Sequence, residues 1–234
     1  DRLGKRYPDM LIEGCSGGGG RFDAGMLHYT SQIWCSDDTD TIERLKIQYG
    51  TSFAYPVSAV GSHVSACPNH QVGRMTPFHT RGLVAMSASF GRFVPFETRA
   101  AVAMAGTFGY ELDPAKLSEE EKTQIRGQIE EFKKYYDVIH FGDYYRLTNA
   151  MEEGPYAAWE FVSEDGNEAL VSVVASRVRA NDPGVRIRLR GLKENQMYLV
   201  NGVEYPGGAL MHGGILLEEA KKEYQSWNYH ITAK

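Results

Sequence analysis

Near position 143 the chain changes its punctuation, and that change constrains its folding more than any other feature. Before it, short apolar runs alternate with stretches of helical periodicity, the pattern of βα units that build a parallel sheet. After it come short strand-like runs: Tyr156 to Val162, Ala169 to Ala175, Val185 to Leu189 and Met197 to Val200. Turn sequences separate them, namely Glu164-Asp165-Gly166-Asn167, Asn201-Gly202 and Pro206-Gly207-Gly208. The expectation is an α/β domain over 1–142 and a small antiparallel β-sandwich over 143–234.

Within the first segment, Met10-Leu11-Ile12-Glu13 predicts a strand that runs into a glycine-rich loop. Gln32-Ile33-Trp34-Cys35 predicts a second strand, ending in an aspartate cluster. Thr41 to Tyr49 carries Ile42, Leu45 and Ile47 at near-helical spacing, with Gly50 as its expected stop. Phe53 to Val60 predicts a third strand, followed by a loop from Gly61 to His70. Ser118-Glu119-Glu120-Glu121 is a capping box opening a helix to about Tyr136, with Ile125, Ile129 and Phe132 as its apolar stripe.

Residues 74–91 align without a gap to residues 92–109, and ten of the 18 positions are identical. Two copies of so short a period are no solenoid. They read as a tandem duplication of one helix with its following strand.

Composition narrows the partners. The net charge of -5 gives no footprint for nucleic acid or an anionic membrane, and no apolar run approaches the roughly 20 residues of a membrane span. The three cysteines, Cys15, Cys35 and Cys67, are odd in number and follow no metal-site spacing. They predict no disulfide framework and a reducing, cytoplasmic setting. No metal and no cofactor is expected. The first residues, Asp1 to Pro8, contain no Met and no signal segment, and read like the middle of a domain.

Two stretches carry candidate chemistry. Cys15-Ser16-Gly17-Gly18-Gly19-Gly20-Arg21 follows a strand, and its glycines permit close backbone approach to a ligand. It matches neither dinucleotide nor nucleotide phosphate motifs. Trp34-Cys35-Ser36-Asp37-Asp38-Thr39-Asp40 lies where a second strand ends. Asp40, three residues before Glu43, is explained as a helix cap, and Asp38 in part by the helix dipole. Asp37 needs neither role. It stands at a strand's C-terminal end beside an aromatic, where desolvation raises a carboxyl pKa toward that of a general acid. His63 and His70 read as hydrogen-bonding scaffold residues of the next loop.

At this point the text resembles a family. Cys15-x-x-Gly18-x-Gly20-Arg21 and Ser36-Asp37-x-x-Asp40-x-x-x-Arg44 are similar to two signatures of the α-galactosidases of glycoside hydrolase family 36. Arg6-Tyr7-Pro8-Asp9, Ser62-His63-Val64-Ser65, Pro68-Asn69-His70-Gln71, Glu97-Thr98-Arg99, Phe108-Gly109-Tyr110-Glu111-Leu112 and Met211-His212-Gly213-Gly214 extend the resemblance over nearly the whole chain.

The resemblance implies the second half of a (β/α)8 TIM barrel over 1–142, followed by a β-sandwich. It implies that Asp37 is the general acid/base and that Cys15, Gly18, Arg21 and Trp34 bind substrate, with Asp40 and Arg44 supporting the site. α-Galactoside sugars of the raffinose type are the implied substrates, and a homo-oligomer or a companion N-terminal half the implied partner. The family's N-terminal β-domain, first four barrel strands and nucleophile motif have no counterpart in these residues. A retaining glycosidase needs two carboxyl groups about 5–5.5 Å apart across the scissile bond; Asp37 and Asp38, neighbours on one loop, do not supply both. Glu13 is the spare carboxylate at a strand end. Alternatives are a non-catalytic half-barrel that pairs with a second copy, or a galactose-binding module.

Overall fold

Glu13–Gly14, Gln32–Trp34, Val60–Ser65 and Phe108–Glu111 (β1 to β4) line up in chain order as a four-stranded parallel sheet. The registers pair Glu13 with Gln32, Ile33 with Val60, and Ser62 with Phe108. The computed structural model describes residues 2–8, 10, 12–30, 32–86, 108–152, 154–178, 184–220 and 223–234. The chain divides into two compact units, one of Asp1–Met75 with Val84–Lys116, the other of Thr76–Leu83 with Leu117–Lys234.

In the first unit, Ile33, Val60 and Val64 are 1% exposed or less and form the apolar spine of the sheet. The Thr41–Thr51 helix begins at Asp40, whose side chain accepts from Ile42 N and Glu43 N. It runs through Gly50 rather than stopping there: Ser52 N still donates to Gln48 O, so the glycine is absorbed in the last turn. The third strand also differs from expectation. Residues 53–55 form turns, Phe53 is exposed, and Val57–Ala59 is a 3-10 turn after Pro56. The strand starts at Val60 and uses the residues read as loop. Gly61 and Ser62 look like turn residues but are small for packing reasons. A Cβ on Gly61 would sit 2.7 Å from Glu13 Oε1, and the Ser62 hydroxyl accepts from Gln48 Nε2 at 2.9 Å.

The duplicated segment falls mostly outside the described residues. Its first copy contributes the Phe78–Met86 helix, and the last two residues of its second copy open β4. Residues 87–107 lie between them, outside the described residues.

In the second unit, Asp143–Arg146 (β5), Tyr156–Val162 (β6), Glu168–Ala175 (β7), Met197–Val200 (β9), Val203–Pro206 (β10) and Ser226–Ala233 (β12) form an antiparallel sheet ordered β10-β9-β12-β7-β6-β5. Arg186–Ile187 (β8) and Ile215–Leu216 (β11) pair separately. The strand expected over 185–189 is thus only two residues long. Asn201 and Gly202, at φ 50° and 81°, turn β9 into β10 as the Asn-Gly pair predicts.

One face of the large sheet packs Ala158, Val171, Val173 and Ile231 against Ile187, Leu189, Leu210 and Leu217. The Glu119–Lys134 helix opens with the expected capping box, and Tyr136–Phe141 follows it. Asn228 Nδ2 donates to Glu131 Oε1 at 2.9 Å, and the Tyr135 and His230 rings stand 4.8 Å apart, so these helices cover the opposite face. With both faces covered, all seven residues of β6 are buried. That is why Tyr-Ala-Ala-Trp-Glu-Phe-Val alternates so weakly.

Candidate active site

All four parallel strands send residues to one cavity of about 400 Å³ in the first unit, lined by Glu13, Cys15, Trp34, Asp37, Thr39, His63, His70 and Glu111. Glu13 and Cys15 come from the end of β1, Trp34 to Thr39 from the end of β2. His63 and His70 come from β3 and its loop, Glu111 from the last residue of β4. Parallel α/β sheets place their chemistry at such C-terminal ends, where the loops emerge.

The glycine loop supplies shape. Gly17, Gly18 and Gly19 all have positive φ, from 63° to 86°. Gly19 lies so close to β2 that a Cβ there would be 2.5 Å from Cys35 O. A Cβ on Gly18 would stand 3.0 Å from Asp37 N and 3.1 Å from its carboxyl, so Gly18 forms the wall against which Asp37 rests. Cys15 is exposed on the cavity, and none of the three cysteines forms a disulfide among the described residues. Arg21 is exposed on the turn past the glycines and is not among the lining residues.

Trp34 is 8% exposed and held on both faces: the His63 ring stacks at 4.8 Å and 18°, and the Arg44 guanidinium lies 4.5 Å from the ring centroid. Its indole N–H donates to Asp37 Oδ1 at 3.1 Å. The aromatic expected beside Asp37 therefore meets it through its polar edge, fixing the carboxylate's direction. Arg44, 4% exposed, donates to Ser36 O at 3.2 Å and Gly61 O at 2.8 Å. Burial pushes its pKa down, opposed by the nearby Cys35 and Asp38; burial likewise pushes the Cys35 thiol up, opposed by Arg44.

The loop from Ser36 to Asp40 has its main-chain groups engaged from several directions. Asp38 N donates to Ser36 Oγ, and Asp40 N to Asp38 Oδ1. Gln71 Nε2 donates to Asp37 O at 2.9 Å, while Gln71 Oε1 accepts from Thr39 N at 2.9 Å. Asp40, fully buried, caps the following helix and pairs with Arg74, which also reaches Glu43 at 3.6 Å. Asp37 is left exposed on the cavity, its side chain aimed and its backbone tied.

Of the residues singled out in the sequence, the cavity brings together Glu13, Cys15, Trp34, Asp37, His63 and His70, with Gly18 directly behind Asp37 and Arg44 beneath Trp34. Asp40 lies behind the cavity in the helix cap. Thr39 and Glu111 line the site as well, although neither carries a predicted role of its own. Glu111 is distant in the chain and joins the others only through the parallel pairing of β3 with β4.

A parallel sheet with its polar residues gathered at the strand ends around an exposed, oriented carboxylate is a layout that α/β enzymes share. The Melibiase family model matches residues 1–94 and 88–142, and that of the glycosyl hydrolase family 36 C-terminal domain matches 156–231. The chain belongs to the glycoside hydrolase family 36 α-galactosidases. It is 55% identical to the bifunctional alpha-galactosidase/sucrose kinase AgaSK of Mediterraneibacter gnavus, over 99% of this chain and 23% of that protein. It is 46% identical to alpha-galactosidase AgaA of Geobacillus stearothermophilus, over 100% of this chain and 30% of that protein.

The solved galactosidase domain of AgaSK superposes with a TM-score of 0.88 at 54% identity, covering all of this chain and 30% of that one. A structure of AgaA in complex with raffinose gives 0.89 at 45% identity, with the same coverage. The chain thus spans between a quarter and a third of the length of most relatives it matches.

Proposed function

We propose that this chain carries the proton-transfer side of a retaining α-galactosidase site acting on raffinose-type sugars. The observation behind this is Asp37: an exposed carboxylate on the cavity, directed by the Trp34 indole N–H. As general acid it protonates the glycosidic oxygen while the C1–O bond to the leaving sugar breaks. As general base it then takes a proton from the water that attacks C1 of the galactosyl-enzyme. Cys15 and Trp34 form the wall on which the terminal galactose rests, with Gly18 backing Asp37.

In this reading the four parallel strands are the second half of an eightfold barrel, and the nucleophile lies in the part of the relatives beyond the matched span. That AgaA has been solved with raffinose bound, in a fold that superposes over this whole chain, supports the substrate class.

The test is turnover of raffinose by the intact polypeptide in which residues 1–234 occur. Asp37→Asn is expected to lower kcat/KM by roughly 10²- to 10⁴-fold, and an unchanged value overturns the assignment. The 234 residues alone are expected to turn over a nitrophenyl α-galactoside at background only; appreciable turnover would mean the nucleophile is within them.

A further inference from the structure

We infer that Gln71 is a positioning residue for the acid/base Asp37, acting on its main chain rather than its carboxylate; this rests on the proposed role of Asp37. The side-chain amide of Gln71 bridges two backbone groups of the acid loop. Nε2 donates to Asp37 O at 2.9 Å, and Oε1 accepts from Thr39 N at 2.9 Å and Thr39 Oγ1 at 3.1 Å. One residue of a neighbouring parallel strand would make the same pair of bonds with its own N–H and C=O, one to the C=O of a residue and one to the N–H two positions on. Gln71 thus supplies a strand partner to a loop that has none at that point.

The amide is itself held. Asn69, 6% exposed, accepts from Gln71 N at 2.9 Å and Val72 N at 3.1 Å, and donates to Thr39 Oγ1 at 3.1 Å. Asn69 N donates to Arg74 O at 3.0 Å, and Gly73 N to Asn69 O at 2.8 Å, which closes residues 69–74 into a compact turn. The far end of that turn is fastened by Arg74 to Asp40 and Glu43. The turn therefore grips the acid loop at both ends, with Gln71 bonded to Asp37.

Proton donation to a leaving oxygen requires the carboxylate within hydrogen-bond reach of it. A displacement of about 1 Å costs on the order of 10²-fold in rate. Loosening the Asp37 backbone should therefore slow cleavage of poor leaving groups and spare activated ones, which depart with little acid assistance. kcat/KM isolates this step, because it reports events up to the first irreversible bond cleavage and leaves out later hydrolysis of the galactosyl-enzyme.

The experiment compares raffinose with a nitrophenyl α-galactoside in the intact polypeptide, using wild type, Asp37→Asn, Gln71→Ala and Gln71→Glu. Gln71→Glu keeps the reach and both acceptor bonds from Thr39, and exchanges the donor to Asp37 O for a carboxylate oxygen that repels it. Both Gln71 variants are expected to lower kcat/KM for raffinose by roughly 10- to 100-fold, with a loss for the nitrophenyl substrate at least tenfold smaller. Should Gln71→Ala fail to fold, Gln71→Glu carries the test alone. The inference is overturned if Gln71→Glu behaves as wild type, or if both substrates slow equally. If Asp37→Asn itself leaves the two substrates in their wild-type ratio, the proposed function fails first, and that outcome is separate from either result for Gln71.

Discussion

Glu160 offers a measurement in which burial alone sets the result. It lies on β6 between Ala158 and Val162, on the face that packs into the apolar core, and it is fully buried. Arg190 N donates to Oε2 at 2.9 Å, and Oε1 has no hydrogen-bond partner among the described residues. Burial pushes its pKa from 4.5 up to about 8, with the Arg190 hydrogen bond and charge opposing.

The native state therefore keeps the proton that the unfolded chain releases above 4.5. Stability is full below that pH, falls as pH rises, and levels off above about 8. At about 1.4 kcal/mol per pH unit, that window costs about 5 kcal/mol, of which roughly 3 kcal/mol is in force at pH 7. Glu160→Gln, neutral at every pH and nearly isosteric, removes this dependence. Its stability is expected within about 1 kcal/mol of the parent at pH 5, and the gap should widen in its favour by about 3–4 kcal/mol at pH 8. Urea unfolding together with amide hydrogen exchange of β6 and β7 reads the sheet itself. A gap that stays constant from pH 5 to 8 would refute the reasoning, since Glu160 would then ionise in the fold as readily as in the unfolded chain.

Three further outcomes are expected. In an Asp37→Asn enzyme, azide should raise turnover of a nitrophenyl α-galactoside and give the α-galactosyl azide, since an anionic nucleophile needs no general base; no azide product by chromatography counts against Asp37 as the base. Gly17→Ala meets open space and should cost only the left-handed backbone, about 1–2 kcal/mol. Gly19→Ala also drives a Cβ into Cys35 O, so its loss in a urea melt should be clearly larger, and equal losses would contradict the close approach. Tyr198→Phe leaves Gly166 O and Lys193 N without their shared hydroxyl, at 2.6 and 2.9 Å, and should cost about 1–3 kcal/mol in thermal or urea unfolding.

Local chemistry was legible in the chain wherever one segment sufficed. The Ser118 capping box, the Asp40 helix cap, the Asn201-Gly202 turn and β9 all follow from residues a few positions apart. Elements whose composition answers to distant partners were misread. β3 looks like a loop because Gly61 must leave room for Glu13 and Trp34, and Ser62 must accept from Gln48. β5, β10 and β12 were not anticipated. The Val203–Pro206 strand buries none of its residues, and is defined by its hairpin pairing with β9. In the site, the resemblance pointed to Asp37, but nothing near it in the chain reveals Glu111 or the grip of Gln71.

The cavity also explains how an exposed carboxylate keeps a fixed direction. In the acid/base role proposed for Asp37 the carboxylate must stay open to substrate and water, so its own side chain cannot be locked by burial. Here order comes from the main chain around it. Arg44 holds Ser36 O, Gln71 holds Asp37 O and Thr39 N, Ser36 holds Asp38 N, and Asp38 holds Asp40 N. Gly18 closes the side away from the cavity. A single contact, the Trp34 indole N–H, then suffices to aim the carboxylate, because that indole is clamped between His63 and Arg44. Trp34→Phe keeps one aromatic ring, removes this contact and gives up the packing of the rest of the buried indole. It should therefore slow raffinose cleavage more than nitrophenyl galactoside cleavage, alongside a lower melting temperature from the lost packing. Equal slowing of both substrates would show that the indole acts through packing instead of through its N–H.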